Sequence, residues 1–343
     1  MTEAEVVPPS SDALRALYDQ TARALSRGRP RDAQEPLSAL AETITVYQYA
    51  ILELARQVSV QSFVWPAVRA PLDLNARPSP LQSAVDLVTF HVDLPESPSG
   101  MHEPSEYVAN LFDWLRSARA VAPQARTILL TDESTEIPSH LTFDLVLRRP
   151  IDRERLMYER MRVQAEYLAV READRESVLL DSDAVINADP VGLFRSDFDV
   201  GLTWRDGFAA APFNGGVIVV PAGERGARFF VEALECYAEL ASRPNIAGSF
   251  DRDLRAWWGD QFVLALMVGY REFADRGAAT AALTDDFRVG FLPCDTYNFT
   301  VDDLDQMTDP AGLRDKFVVH FKGNRKALQS QYVGRLLADL ARR

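Results

Sequence analysis

The chain has 343 residues, 47% of them hydrophobic and 25% charged, with a formal net charge of −13. That is ordinary globular composition in a chain long enough to bury a sizeable core. Its acidity argues against bulk binding of nucleic acid or an anionic membrane, which need a basic face, while leaving room for a local basic pocket. Cys236 and Cys294 are too few for a disulfide framework. The first residues carry neither a basic nor an apolar signal region, and no apolar run reaches the length of a membrane span. A reduced, cytoplasmic setting is expected.

The first elements in chain order read as helix. "SDALRALYDQTARALS" offers Ser10 or Ser11 as an N-cap and apolar residues at helical spacing. "GRPR" breaks it, and an apolar stripe resumes to about residue 60. Residues 1–80 are therefore expected to form an N-terminal helical extension, closed by a proline-rich linker at 69–82. Near residue 83 the pattern changes, and 81–343 reads as one domain. "AVDLVTFHV" is a buried-type strand, "SEYVANLFDWLRSARAV" an amphipathic helix, and "RTILLT" and "FDLVLR" are strands. "DRERLMYERMRVQAEYLAV" is a helix, followed by the strand "SVLLD". Strands alternating with helices predict a largely parallel α/β sheet, whose ligands bind beyond the carboxyl ends of the strands. The loop at 94–104, rich in Pro, Ser and Gly, is placed to form a lip over that crevice.

At such a strand end stands "LLDSDAVI". Asp181 and Asp183 lie two residues apart after a buried strand. Such carboxylates repel unless a positive charge lies between them, and a divalent cation bound to substrate phosphates supplies one. Two enzyme classes place D-x-D here: haloacid-dehalogenase-type phosphatases, and glycosyltransferases using nucleotide sugars. The phosphatase needs a lysine before a later acidic pair. Asp285 and Asp286 would be that pair, but the only lysines, Lys316, Lys322 and Lys326, all follow it.

Downstream, "APFNGGVIVV" sets Asn214, Gly215 and Gly216 before a strand, with an amide suited to sugar hydroxyls and glycines that permit close backbone approach to a ligand. "GDQFVLAL" places Asp260 and Gln261 at a helix start. "HFKGNRK" gives H-x-x-G-x-x-K. His320 is placed to complete a metal site, Gly323 to let backbone approach phosphate, and Lys326, in the first turn of a final helix, to add a point charge.

Taken in order, "LLDSDAVINADPVGLF", "FNGGVIVV", "GDQFVLAL", "LPCDTYNF" and "HFKGNRK" resemble the retaining GT-A glycosyltransferases, and within them glycosyltransferase family 8, the glycogenin and lipopolysaccharide galactosyltransferase type. The resemblance covers roughly residues 84–330. It implies a GT-A (Rossmann-like) fold that moves a hexose from a nucleoside diphosphate sugar, UDP-linked by analogy, to an acceptor that the sequence does not identify. It assigns the metal to Asp181, Asp183 and His320, with Mn²⁺ favoured over Mg²⁺ because a histidine is among the ligands. Donor contacts fall to Asn214, Gly215, Gly216, Gly323 and Lys326, and to an arginine whose register is open between Arg160 and Arg162. Asp260 and Gln261 would lie near the anomeric carbon. The chain departs from the family in "KAL" where Lys-Pro-Trp is common, and in a single acidic residue around Gln261. The rival from another class is a non-catalytic nucleotide-sugar-binding scaffold.

Overall fold

The computed structural model describes residues 16, 18–20, 22, 23, 36, 68–71, 84–93, 104–195, 197–205, 213–242, 259–268, 280–283, 286–301 and 310–342. The chain divides into two compact units, Met1–Val64 with Phe208–Ala210, and Trp65–Gly207 with Ala211–Arg343. In the first, helix is described at residues 16, 18–20, 22, 23 and 36; the rest of the expected helical extension up to residue 67 lies outside the described residues. So do nearly all of the 94–104 loop and Trp257 and Trp258.

The second unit is built on a nine-stranded sheet. In chain order its strands are β1 (Val68–Pro71), β2 (Val85–Phe90), β3 (Arg126–Thr131), β4 (Leu145–Arg148), β5 (Glu176–Leu180), β7 (Val200–Trp204), β8 (Phe213–Val220), β9 (Thr280–Leu283) and β10 (Arg288–Pro293). Their spatial order is β1-β9-β10-β7-β8-β5-β2-β3-β4. The α/β class is as expected, but the sheet is mixed rather than largely parallel. β4, β3, β2 and β5 run parallel, β8 is antiparallel to both β5 and β7, and β9 is antiparallel to both β1 and β10. β7 reaches β8 through a short connection, which forces an antiparallel pair, because a parallel one needs a crossover. Residues 69–71, expected within the linker, instead form part of edge strand β1 paired to β9.

Helices cover the sheet. Helix α1 (Pro104–Val121) buries Leu111, Trp114, Leu115 and Ala118, a stripe at helical spacing. Helix α2 (Leu156–Val170) packs on α3 (Arg225–Ser242), and α4 (Gly259–Met267) packs on α2, α3 and β8. β5, β7 and β8 are buried along their whole length, as sheets covered on both faces are.

A second, three-stranded sheet holds the chain end. It comprises β6 (Ala184–Ile186), β11 (Phe299–Thr300) and β12 (Val318–His320), ordered β11-β12-β6. After the short helix α5 (Cys294–Tyr297), the final helix α6 (Gln329–Leu340) packs on α1 and seals this sheet with Tyr332, Val333 and Leu336 beside Phe321. Each such side chain contributes about 1.5–3 kcal/mol when fully buried.

Candidate functional site

The D-x-D segment is the point where the chain leaves one sheet for the other. The Asp181 N–H still bonds Gly216 O at 2.9 Å, extending the β5–β8 ladder, and the Ala184 N–H closes a turn on Asp181 O at 3.1 Å. β6 then pairs antiparallel with β12, with Ala184 opposite His320, and the Phe321 N–H bonds Asp183 O at 2.9 Å. Strand pairing alone therefore brings His320 against the two aspartates across more than a hundred residues of sequence.

One ligand atom from each of Asp181, Asp183 and His320 lies within 4.8 Å of the others. His320 Nε2 is 2.9 Å from Asp183 Oδ1 and 3.7 Å from Asp181 Oδ2. Two carboxylate oxygens and one imidazole nitrogen could hold a divalent metal ion. Lys326 Nζ reaches Asp183 Oδ2 at 3.1 Å and sits 4.8 Å over the Tyr107 ring. Burial alone would raise the Asp183 carboxyl, but His320 and Lys326 outweigh it and hold that group well below the usual carboxylate range. Burial pulls the Lys326 ammonium down, and Asp183 and Tyr107 more than reverse this.

Arg160 of α2 forms the other wall. Its guanidinium bonds Asp181 at 2.5 Å and also Asp260, which α4 delivers at its first turn. Asp260 is 3% exposed. Burial raises its carboxyl, and the Asp181 charge adds to that against the pull of Arg160. A cleft of about 200 Å³ opens over these groups, lined among others by Tyr107, Arg160, Asp181, Asp183, Gln261 and Lys326.

The structure brings most of the expected site residues together and shows what each of them touches. Arg162 turns away, its guanidinium held by Glu159, Glu166 and Pro150 O; Arg160 alone of the two faces the cleft. Asp260 is not in the cleft wall but behind it, as the partner of Arg160, while Gln261 lines the cleft. Gly216 lines the cleft, and both glycines also leave room for neighbouring side chains. A Cβ on Gly215 would lie 2.7 Å from Asp260 Oδ2, and one on Gly216 would strike the His320 ring. Asn214 is buried, does not line the cleft, and gives its Oδ1 to the Gly216 N–H at 3.0 Å and to Asn298 at 2.7 Å. Gly323 has φ +59 with open space about it, so a left-handed turn is what requires glycine there. Lys326 stands on a 3₁₀ turn, Gly323–Leu328, that precedes α6 instead of lying in its first turn. Lys322 is half-buried, and burial pulls its ammonium below the ordinary value. Asp286 is exposed and paired to Arg228, far from the role a phosphatase would give it; Asp285 lies outside the described residues.

The residues that sequence reasoning missed are Asn298, bonded to His320 Nδ1 at 2.9 Å, and Thr203, bonded to Asn298 at 3.0 Å. The phrase "LPCDTYNF" had drawn notice as a whole, but nothing in its spacing marks the asparagine.

No protein-family model matches the chain, and comparison with curated proteins finds no match. Several solved structures are similar to it. The glycosyltransferase GlyE of Streptococcus pneumoniae, in its apo form, aligns at 14% identity with a TM-score of 0.45, over 76% of this chain and 64% of that one. This chain thus spans less than two thirds of the length of GlyE. The galactosyltransferase LgtC, solved with donor and acceptor sugar analogues, aligns at 13% identity and TM-score 0.43, over 74% of this chain and 95% of that one. A glycosyltransferase involved in glycosylating the major capsid of PBCV-1 aligns at 13% and 0.41, over 72% and 99%. Among the described residues no helix is long and apolar enough to cross a membrane, and both cysteines are buried and outside any disulfide.

Proposed function

We propose that the chain is a metal-dependent, retaining hexosyltransferase that takes its sugar from a nucleoside diphosphate donor, UDP-linked by analogy, in a cytoplasmic setting. The observation that carries this is the Asp181–Asp183–His320 triad opening into a cleft walled by Arg160 and Lys326. Three carboxylates, Asp181, Asp183 and Asp260, converge here with the cations Arg160 and Lys326, and Lys322 acts on Asp181 and Asp183 from farther off; the ligand atoms of Asp181, Asp183 and His320, within reach of one another, offer a place for an ion. Two ion-paired cations beside it suit a diphosphate.

Asp181, Asp183 and His320 would hold the ion, which when bound supplies charge neutralisation for the diphosphate leaving group. Lys326 points its ammonium into the same space and would bind a phosphate oxygen as a compact charge. Arg160 is fixed by Asp260 from behind and offers a preorganised donor toward developing negative charge. Gln261, which lines the cleft, would present its amide to the reacting sugar. A double displacement would need a carboxylate on the far face of the sugar. Asp260, buried and engaged by Arg160, is poorly placed for that, which favours transfer on one face with the acceptor proton taken by the departing phosphate. The acceptor-side surface is unassigned.

The test is a thermal-shift screen of nucleoside diphosphate sugars with and without Mn²⁺, followed by donor hydrolysis without acceptor. A shift that requires both ion and donor, with slow hydrolysis, supports the proposal. Binding without hydrolysis would favour the scaffold reading, and no shift with any donor would remove both.

A further inference from the structure

Behind the metal triad runs a closed chain of neutral hydrogen bonds that no charge pairing requires. His320 Nδ1 meets Asn298 Oδ1 at 2.9 Å. Asn298 Nδ2 meets Asn214 Oδ1 at 2.7 Å and Thr203 Oγ1 at 3.0 Å. Asn298 and Thr203 are fully buried, and His320 is 2% exposed. The direction of this chain is fixed at two independent ends. The Gly216 backbone N–H can only donate, so the Asn214 atom it meets at 3.0 Å is the oxygen. Thr203 Oγ1 faces the Asn214 and Val217 carbonyls at 2.9 and 3.0 Å, which can only accept. Its single proton is spent there, and it must accept from Asn298. Both ends require the Asn298 amide nitrogen to point away from His320 and its oxygen toward it. That oxygen can only accept, so His320 Nδ1 carries a proton and Nε2 turns toward Asp181 and Asp183.

We propose that Asn298, oriented by Asn214 and Thr203, is a positioning residue that holds His320 in the Nδ1–H form and so commits Nε2 to the metal. This rests on the proposed metal site and deepens it. An outer hydrogen bond of this kind fixes the ring orientation of a ligating histidine, and its loss typically costs ten- to a hundredfold in metal affinity. It also gives the β7–β8 irregularity at Leu202/Thr203 a purpose, since the Thr203 hydroxyl acts from that point.

The experiment uses the full chain. Free Mn²⁺ is measured by electron paramagnetic resonance against wild type, Asn298→Leu, Asn214→Leu and Asn214→Asp, each checked for cooperative unfolding without metal. In parallel, ¹⁵N spectra of metal-free wild type report His320, assigned by comparison with His320→Gln. Asn298→Leu should weaken Mn²⁺ by about tenfold or more. Asn214→Leu should weaken it less, because Thr203 still anchors the amide, and Asn214→Asp, which keeps the acceptor, should stay within about twofold. Folded Asn298→Leu protein that binds Mn²⁺ like wild type would overturn the proposal. So would a neutral wild-type ring protonated at Nε2 with Nδ1 bare, a result that decides the matter even if the leucine variants do not fold. If wild type binds no Mn²⁺, the metal reading fails, while the ¹⁵N spectrum still supports or refutes the positioning of the ring.

Discussion

The same sheet carries a buried charge cluster at each end, and the two are built to opposite ends. At the amino ends of the strands, Asp86 of β2 is fully buried under two guanidiniums. Arg126 grips it twice, at 2.9 and 3.0 Å, Arg175 reaches it at 2.6 Å, and the Tyr167 hydroxyl donates to it. Burial by itself would raise the Asp86 carboxyl, but these donors more than compensate and lower it. Cations exceed carboxylate there, and Arg126 places its surplus on Glu172. At the carboxyl ends Asp181, Asp183 and Asp260 lie among Arg160, Lys326 and, farther off, Lys322, and a cleft is left open beside them. A closed buried cluster fixes structure; one whose metal-ligand atoms border an opening can take a ligand.

The largest difference should come from removing one carboxylate in each cluster. Asp183→Asn is expected to abolish transfer and metal-dependent donor binding while leaving the fold intact, checked by donor titration beside an unfolding curve. Asp86→Asn is expected to do the reverse, costing about 3–5 kcal/mol in stability because two arginines lose their buried partner, with donor affinity per folded molecule unchanged. If Asp86→Asn were the variant that lost donor binding, the division between the clusters would collapse.

Gly216→Ala comes next. The added methyl has no room beside His320, so Mn²⁺ affinity should fall by about tenfold or more, comparable to losing an outer-shell contact. Calorimetry in which Mn²⁺ binding is unchanged would show that the His320 ring is not held where it is described.

Lys326→Ala should weaken UDP in the presence of Mn²⁺ by about 1.5–3 kcal/mol, the worth of a charge-assisted phosphate contact. Lys322→Ala should cost less, since Lys326 pairs directly with Asp183 at 3.1 Å while Lys322 acts on it only from farther off. Titration showing equal losses, or a larger one at Lys322, would move the phosphate site.

The smallest effect is the pH dependence of the structural cluster. With its folded value lowered from 3.8, Asp86 contributes stability that is present above about pH 4 and lost as pH falls through the folded value. Denaturant curves should therefore show the gap between wild type and Asp86→Asn shrinking below about pH 4, and a gap that widens there would have the wrong sign.

Much of the site was legible in the sequence, for physical reasons that can be named. Asp181 and Asp183 stand out because paired carboxylates after an apolar run serve no core. His320 and Lys326 stand out because glycine punctuates their spacing. The choice between Arg160 and Arg162 was also readable in principle. Two residues apart on a helix put them on nearly opposite faces. Arg162 has Glu159 and Glu166 at the spacing of surface ion pairs, while Arg160 shares its face with Met157, Met161 and Gln164. The direction of β8 was not readable, because a strand buried on both faces looks the same whichever way it runs. Nor were Asn298 and Thr203. Neutral polar residues have no periodic signature, and their partners lie up to 95 residues away in sequence. Residues 69–71 were misread because proline marks edge strands as well as linkers.

The most direct test of the central claim is calorimetric titration of UDP into wild type and Asp183→Asn, each with and without Mn²⁺. Tight binding only in wild type with Mn²⁺ is the expected result. Binding that ignores the ion, or that survives Asp183→Asn undiminished, would contradict a metal-held diphosphate at the Asp181–Asp183–His320 triad.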